Sequence, residues 1–405
     1  MNIGVGYDNQ KNSFSCGVSV AEKASKCFAD AEASFVFAVC CNKHDHESYY
    51  KGLRSVLGDS IPIVGGSAVG VITKDDLSYE GYPAGAVVFQ SNTLKCNVQW
   101  TSGLDKSVKQ VGIDIAEKTE WSDKTPLFFF YDSIKKAASE SSPPVMNSSV
   151  PLLNGLVNSL KKNITIIGAG LIGDFSFSLG KIFTGSEVVP QAAVGFQLLG
   201  DFEIQSRIMH GCTPLDGVYH TITKAKGPVV FEVDSKPIAK IIDDIYGHKL
   251  WRKDNPVTLV SLGVNHGPRY GRPEEKNYLN RLIVGALPNS DAVMLFEPDL
   301  SKGDEIQFML RDSEEMIQSV KTNTETLFSD LTNEGKEIIF GLYIDCAGRS
   351  KCMSKTDREE AGEVQDIFKH QNIPLFGFYS GAEIAPLLNK SKGLDWTGVL
   401  TLFYR

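Results

Sequence analysis

Apolar residues gather in this chain into short, almost unbroken runs, and the runs return in one order. Ser34-Phe-Val-Phe-Ala-Val-Cys40 is followed by a polar loop and a helical stretch from Glu47 to Leu57. Then come Ile61-Pro-Ile-Val-Gly-Gly-Ser67-Ala-Val-Gly70, a strand ending in small residues, and Gly85-Ala-Val-Val-Phe-Gln90, a further strand. The succession restarts at Pro126-Leu-Phe-Phe-Phe-Tyr131, with a helix from Leu152 to Leu160, Ile164-Thr-Ile-Ile-Gly-Ala-Gly170-Leu-Ile-Gly173, and Ala192-Ala-Val-Gly-Phe-Gln197. It restarts again at Ile338-Ile-Phe-Gly-Leu-Tyr-Ile344, with a charged helix from Thr356 to His370, Ile373-Pro-Leu-Phe-Gly-Phe-Tyr379, and Gly398-Val-Leu-Thr-Leu-Phe403. Such internal repetition decides the architecture before any single motif does.

In each unit a helix joins the first two strands, which makes them parallel neighbours. Runs apolar at every position suit strands covered on both faces. The third strand, with no clear helix before it, is expected to add antiparallel or at an edge. Loops diverge at the carboxyl ends of such strands, and ligands gather there. From about Gly211 to Arg311 the pattern changes. Strand-like runs at Val229 to Val233, Val257 to Val264, Tyr278 to Ala286, Ala292 to Phe296 and Ile306 to Leu310, with a helix from Pro237 to Leu250, predict an antiparallel or mixed section inserted ahead of the third unit. The polar stretch Ser139-Glu-Ser-Ser-Pro-Pro144 interrupts a unit and reads as a surface loop. The expectation is an α/β fold of repeated strand-helix-strand units forming mixed sheets, in two domains. The first spans 1–205, with repeats at about 30–100 and 125–200, and the second spans 206–405.

A length of 405 residues suits this division, and a hydrophobic share of 42% supplies a large core. The formal net charge of −8 argues against a nucleic-acid partner, which calls for a basic face. No apolar run approaches the length of a membrane span, and the opening residues lack a basic segment followed by an apolar one. Eight cysteines without C-x-x-C spacing read as reduced thiols of a cytoplasmic protein.

The third unit carries the most specific words. Tyr343-Ile-Asp-Cys346-Ala-Gly-Arg349, an acidic helix, and Pro374-Leu-Phe-Gly-Phe-Tyr-Ser-Gly-Ala-Glu383-Ile resemble the C-terminal signature of the FIST family. Asn277-Tyr-Leu-Asn-Arg281 resembles its Tyr-x-x-Arg strand, and Gly303-Asp-Glu-Ile-Gln-Phe-Met-Leu-Arg311-Asp its Leu-Arg-Asp segment. Ile63-Val-Gly-Gly-Ser67 and Ile167-Gly-Ala-Gly-Leu-Ile-Gly-Asp174 look like its paired glycine turns. One departure is Gly381-Ala-Glu383-Ile, where the family has Gly-Glu-Ile. The resemblance implies a non-catalytic sensory module that binds a small molecule, such as an amino acid, and signals to a separate protein. An interaction adaptor without a ligand and a hydrolase or transferase using Cys346 are the alternatives.

Arg349 and Arg281 offer guanidinium forks for a carboxylate, and Glu383 could accept an ammonium group. Arg349 and Glu383 follow the two parallel strands of one unit and are expected on one rim, with Cys346, Tyr379 and Ser380 lining it. A bare Arg349–Glu383 salt bridge is the competing reading. Gly168-Ala-Gly-Leu-Ile-Gly173 matches a dinucleotide fingerprint, but the alternating residues after it do not read as the helix that site requires. His44-Asp-His-Glu47 is one loop, too little for a full metal site, and reads as a solvated lead into a helix. Asp132 and Asp174 read as turn and cap residues, and Asn265-His-Gly-Pro-Arg269 as a turn at a strand end. No cofactor or metal is expected.

Overall fold

The computed structural model describes every residue except 27, 29–31 and 140–143, so Cys27 and most of the loop at 139–144 lie outside it. The first unit runs as an outer strand (Asn2–Asp8), a helix (Ser13–Ser25), an inner strand (Phe35–Cys40), a helix (His46–Leu57) and a second inner strand (Ile63–Ser67). A hairpin (Val71–Thr73, Leu77–Ser78) and a return strand (Ala84–Gln90) complete it. The second unit repeats this order through Lys95–Ser102, Val108–Glu117, Leu127–Asp132, Ser149–Ser159, Ile166–Leu171, the hairpin Ile182–Gly185 and Val188–Val189, and Ala192–Leu199. The third does so through Glu203–Met209, Ser313–Asn333, Ile338–Cys346, Ala361–Gln371, Leu375–Ser380, the hairpin Ala382–Leu387 and Lys390–Leu394, and Gly398–Tyr404.

The two inner strands of every unit are parallel, as their helical connection requires. The return strand pairs antiparallel with the first inner strand, yet it is not an edge, because the outer strand lies beyond it. Each hairpin leaves its own unit. The first unit's hairpin pairs with Phe376 to Phe378 of the third, the second's with Ile63 to Gly66 of the first, and the third's with Gly168 to Gly170 of the second. The result is three six-stranded sheets of identical strand order, each closed by strands from a neighbour in a ring of exchanges. Phenylalanines from all three units, among them Phe37, Phe130, Phe196, Phe376 and Phe378, fill one core between the sheets.

The small residues that the sequence placed in turns lie inside strands. A Cβ added at Gly65, Gly168 or Gly377 would overlap the carbonyl oxygen of Ala38, Phe129 or Tyr343, on the parallel strand beside it. Only glycine permits that approach. Gly65 also has φ of +129°, outside the range of ordinary side chains. Paired glycines likewise set the helix packing of the first two units: Gly17 against Gly52, and Gly112 and Gly155 against the facing helix backbone. In the third unit Phe328 and Phe368 meet edge to face instead, with centroids 5.0 Å apart.

Residues 210–312 form the inserted section. It enters within the third unit, between the outer strand and its helix, rather than ahead of the unit. Its strands build a nine-stranded antiparallel sheet over a separate core around Trp251, Ile238, Phe308 and Leu262. No helix among the described residues is long and apolar enough to cross a membrane.

Candidate functional site

Where the inserted section meets the third unit, charged side chains are sealed inside the protein. Cys346 and Ser380 are partners in the parallel ladder, so the residues after each emerge at the same end of the sheet. Arg349 and Glu383 do lie on one rim, and both are fully buried. They do not pair with each other. Arg349 Nε donates to Glu360 Oε1 at 2.6 Å, with the Asp345 carboxylate at 3.6 Å, while Nη1 donates to the carbonyls of His210 and Trp396 at 2.9 and 2.8 Å. The salt bridge read as an alternative is thereby replaced by Arg349–Glu360.

Glu383 sits against Ser380, whose Oγ is 2.8 Å from Oε1, and accepts from the Thr397 amide at 3.4 Å. The Ser380 hydroxyl is also 3.0 Å from the Asp345 carbonyl, which can only accept. One hydroxyl proton cannot serve both acceptors. A protonated Glu383 resolves this by donating to Ser380, which frees the serine proton for the carbonyl. Burial drives the same outcome, raising the Glu383 carboxyl to about 8.

Arg281 is equally sealed. Nε and Nη2 grip Asp299 at 2.7 and 2.5 Å, Nη1 donates to the Gly393 carbonyl at 3.1 Å, and Asp395 lies 3.6 Å away. Arg281, Arg349 and Glu383 therefore converge on one segment, 393–397, between the last hairpin and the last strand. Sequence reasoning did not find this segment. Leu394-Asp-Trp-Thr397 is a short turn without periodicity, and only the polar Asp395 and Thr397 amid apolar runs could have flagged it. Trp396 adopts φ of +55° there, and the Arg311 guanidinium stacks on its ring at 4.1 Å.

Acidic groups outnumber basic ones at this locus. Glu297, Asp345, Glu360, Glu383 and Asp395 are all buried, against Arg281, Arg349 and Arg311. Burial raises Asp395 to about 7, and pushes up Asp345 and Glu360, with the Glu360 charge adding to the rise of Asp345. Burial works against the charge of Arg349, yet Glu360 and Asp345 hold its proton more firmly than usual. Glu360 Oε2, Asp395 Oδ1, Arg349 Nη2 and Trp396 Nε1 have no hydrogen-bond partner among the described residues. Glu297 accepts from the amides of Ser149 and Val150 at 2.8 and 3.2 Å, so the inserted section caps a helix of the second unit.

The remaining candidates separate from this locus or serve packing. Tyr379 is buried and donates to Glu359 at 2.7 Å. Cys346 is buried, and burial and then Glu383 push its thiol well up. Gly168, Gly170 and Gly173 press on Phe129, Ser133 and Asn42, and no helix follows them. The loop leads into a helix as expected, with Lys43, Asp45 and Glu47 exposed, but its two histidines are packed. His44 bonds Ser13 and the Tyr82 carbonyl, His46 bonds Ser67 at 2.8 Å, and Asp45 caps the next helix. No group of side chains among the described residues could hold a metal ion. Asp132 is buried, accepts from the amides of Ile134 and Gln191, and is raised by burial to about 6.

One side of the locus opens to solvent. A cleft of about 620 Å³ lies between the Ser149–Ser159 helix, the inserted section and the last hairpin. Val150, Leu153, Asn154 and Val157 form one face of that helix along the cleft, with Leu279, Val264 and Leu300 opposite. Asp299 and Gly393, both bonded to Arg281, are part of its wall.

The FIST N domain family model matches residues 34–236, and the FIST C domain model residues 240–386. None of the curated proteins matches the chain. A solved structure described as "Cyanuric acid hydrolase: evolutionary innovation by structural concatenation" is similar at 10% identity and a TM-score of 0.25, covering 77% of this chain and 99% of that one. A likeness of that size carries no argument about function.

Proposed function

Because the chain belongs to the FIST family, whose domains are signal-transducing sensor modules, we propose that it is a non-catalytic sensor of a small molecule. The ligand enters the cleft between the two family domains, and a separate protein reads the response. The observation that carries this reading is the cleft itself. Its volume of about 620 Å³ falls in the range of small-molecule sites, and one wall is a helix face carrying half-buried Val150, buried Leu153 and exposed Val157. Its floor touches Asp299 and Gly393, the partners of Arg281, so a bound molecule would press on the same segment that Arg349 and Glu383 hold. The buried, high-pKa thiol of Cys346 supports a non-catalytic role, since a nucleophile needs an accessible thiolate.

Thermal unfolding in the presence of amino acids, organic acids, amines and sugars tests the proposal. At least one class should raise the midpoint, because a ligand at about a hundred times its Kd adds roughly 2.7 kcal/mol. Asn154→Trp, at an exposed position on the cleft-facing side, should remove that rise without altering the midpoint of the free protein. If no class produces a rise, the sensing proposal falls and the adaptor reading takes its place.

A further inference from the structure

The charges around the cleft are unequally committed. Asp299 is held by two bonds from Arg281, Glu305 by Arg269 at 2.6 Å, and Asp304 accepts from the Ser301 amide at 2.7 Å. The cations are free: Lys390 and Lys392 form no ion pair or hydrogen bond among the described residues, and the His266 ring has no hydrogen bond there. Lys390 and Lys392 are two apart on one strand, so they share a face. Lysines on an edge strand commonly deter strand pairing, and this hairpin is the edge of its sheet. That role asks only for exposure. It does not require two lysines and a histidine to line a cavity opposite an apolar helix face.

Resting on the reading of the cleft as the sensing site, we propose that its ligand is an organic anion with an apolar body and no ammonium group. The carboxylate lies between Lys390, Lys392 and His266, and the hydrocarbon lies along Leu153 and Val157. A zwitterion is disfavoured because Asp299 and Glu305 are neutralised by Arg281 and Arg269, which leaves Asp304 as the one carboxylate of the described lining without a cation, against two unpaired lysines. Burial, followed by Lys392 and Arg281, lowers the His266 pKa, so its ring is neutral and can give one N–H to the anion without repelling the lysines. Both lysines lie beyond the stretch matched by the family models.

The test is calorimetric titration of the full chain with hexanoate and phenylacetate, against hexanamide, phenylacetamide and hexylammonium. The acids should bind and the others should not. The double variant Lys390→Gln, Lys392→Gln should weaken acid binding about tenfold or more while leaving the unfolding midpoint unchanged. Binding should also weaken as salt rises. If amides or amine bind as tightly as the acids, the anion assignment is overturned while the cleft stands as a small-molecule site. If the acids bind undiminished in the double variant, the lysines are not the anion's partners and the assignment is overturned. Failure of every probe overturns the assignment too, whereas the sensing proposal falls only if the broad metabolite set also fails.

Discussion

In the first unit the carboxyl ends of the inner strands carry Cys40, Cys41, Ser67 and the two histidines that follow, all buried and all neutral. Burial lowers His46 to about 4, so its ring sits uncharged against Ser67, whose hydroxyl also accepts from the Lys181 amide at 3.0 Å. The third unit has the same backbone in the same register, but its rim carries Asp345, Arg349, Glu360 and Glu383, with several polar atoms left unpaired. The topology is therefore indifferent to what its rim contains. The rim's own charges come from the third unit, and the inserted section packed against it adds Arg281, Glu297 and Asp299. Native proteins tolerate unpaired buried charge sparingly, and such sites concentrate where structure must change.

The largest effect should come from Arg349→Met, which leaves Glu360 and Asp345 buried without their cation. A loss of about 3–5 kcal/mol is expected in urea denaturation. The counterpart in the first unit, His46→Leu, removes one neutral hydrogen bond and should cost about 1–2 kcal/mol. Equal costs would break the contrast between the two rims.

Glu383→Gln should sharpen it. The folded pKa of Glu383 is raised, from an ordinary 4.5 to about 8. Its contribution is most favourable below about 4.5 and is lost as pH rises through about 8, because the unfolded chain ionises first. The amide mimics the protonated acid, donating to Ser380 and accepting from Thr397. The variant should therefore gain on the wild type progressively across that window, by several kcal/mol at its upper end. A flat difference would mean that Glu383 is ionised at neutral pH. The smallest effect concerns reactivity alone: iodoacetamide at neutral pH should label the exposed Cys352 and spare Cys346 until the chain unfolds. Selective early labelling of Cys346 would revive a catalytic reading of the third rim.

The inner and return strands were legible because burial on both faces makes every position apolar, as in Phe35–Cys40, buried throughout. The outer strands were not. Lys95–Ser102 is partly exposed along most of its length, and its Lys-Cys-Asn-Val-Gln-Trp-Thr-Ser sequence carries no continuous run. The hairpins escaped notice because strands as short as Leu77–Ser78 have no pattern of their own. Arg349 and Glu383 could be placed on one rim because parallel strands share a direction. Their true partners could not be foreseen: Glu360 lies across a loop, and Trp396 and Thr397 belong to the turn that follows the last hairpin.

That exchange of hairpins also orders events during synthesis. Ile166–Leu171 emerges from the ribosome as an apolar strand with one flank bare, and its partner Ala382–Leu387 is translated more than two hundred residues later. Until then the nascent chain exposes a sticky flank suited to pairing with other chains. Shielding by a chaperone, or temporary cover from the inserted section, would bridge that interval, and a truncation ending before the last hairpin should aggregate rather than persist as a smaller folded protein.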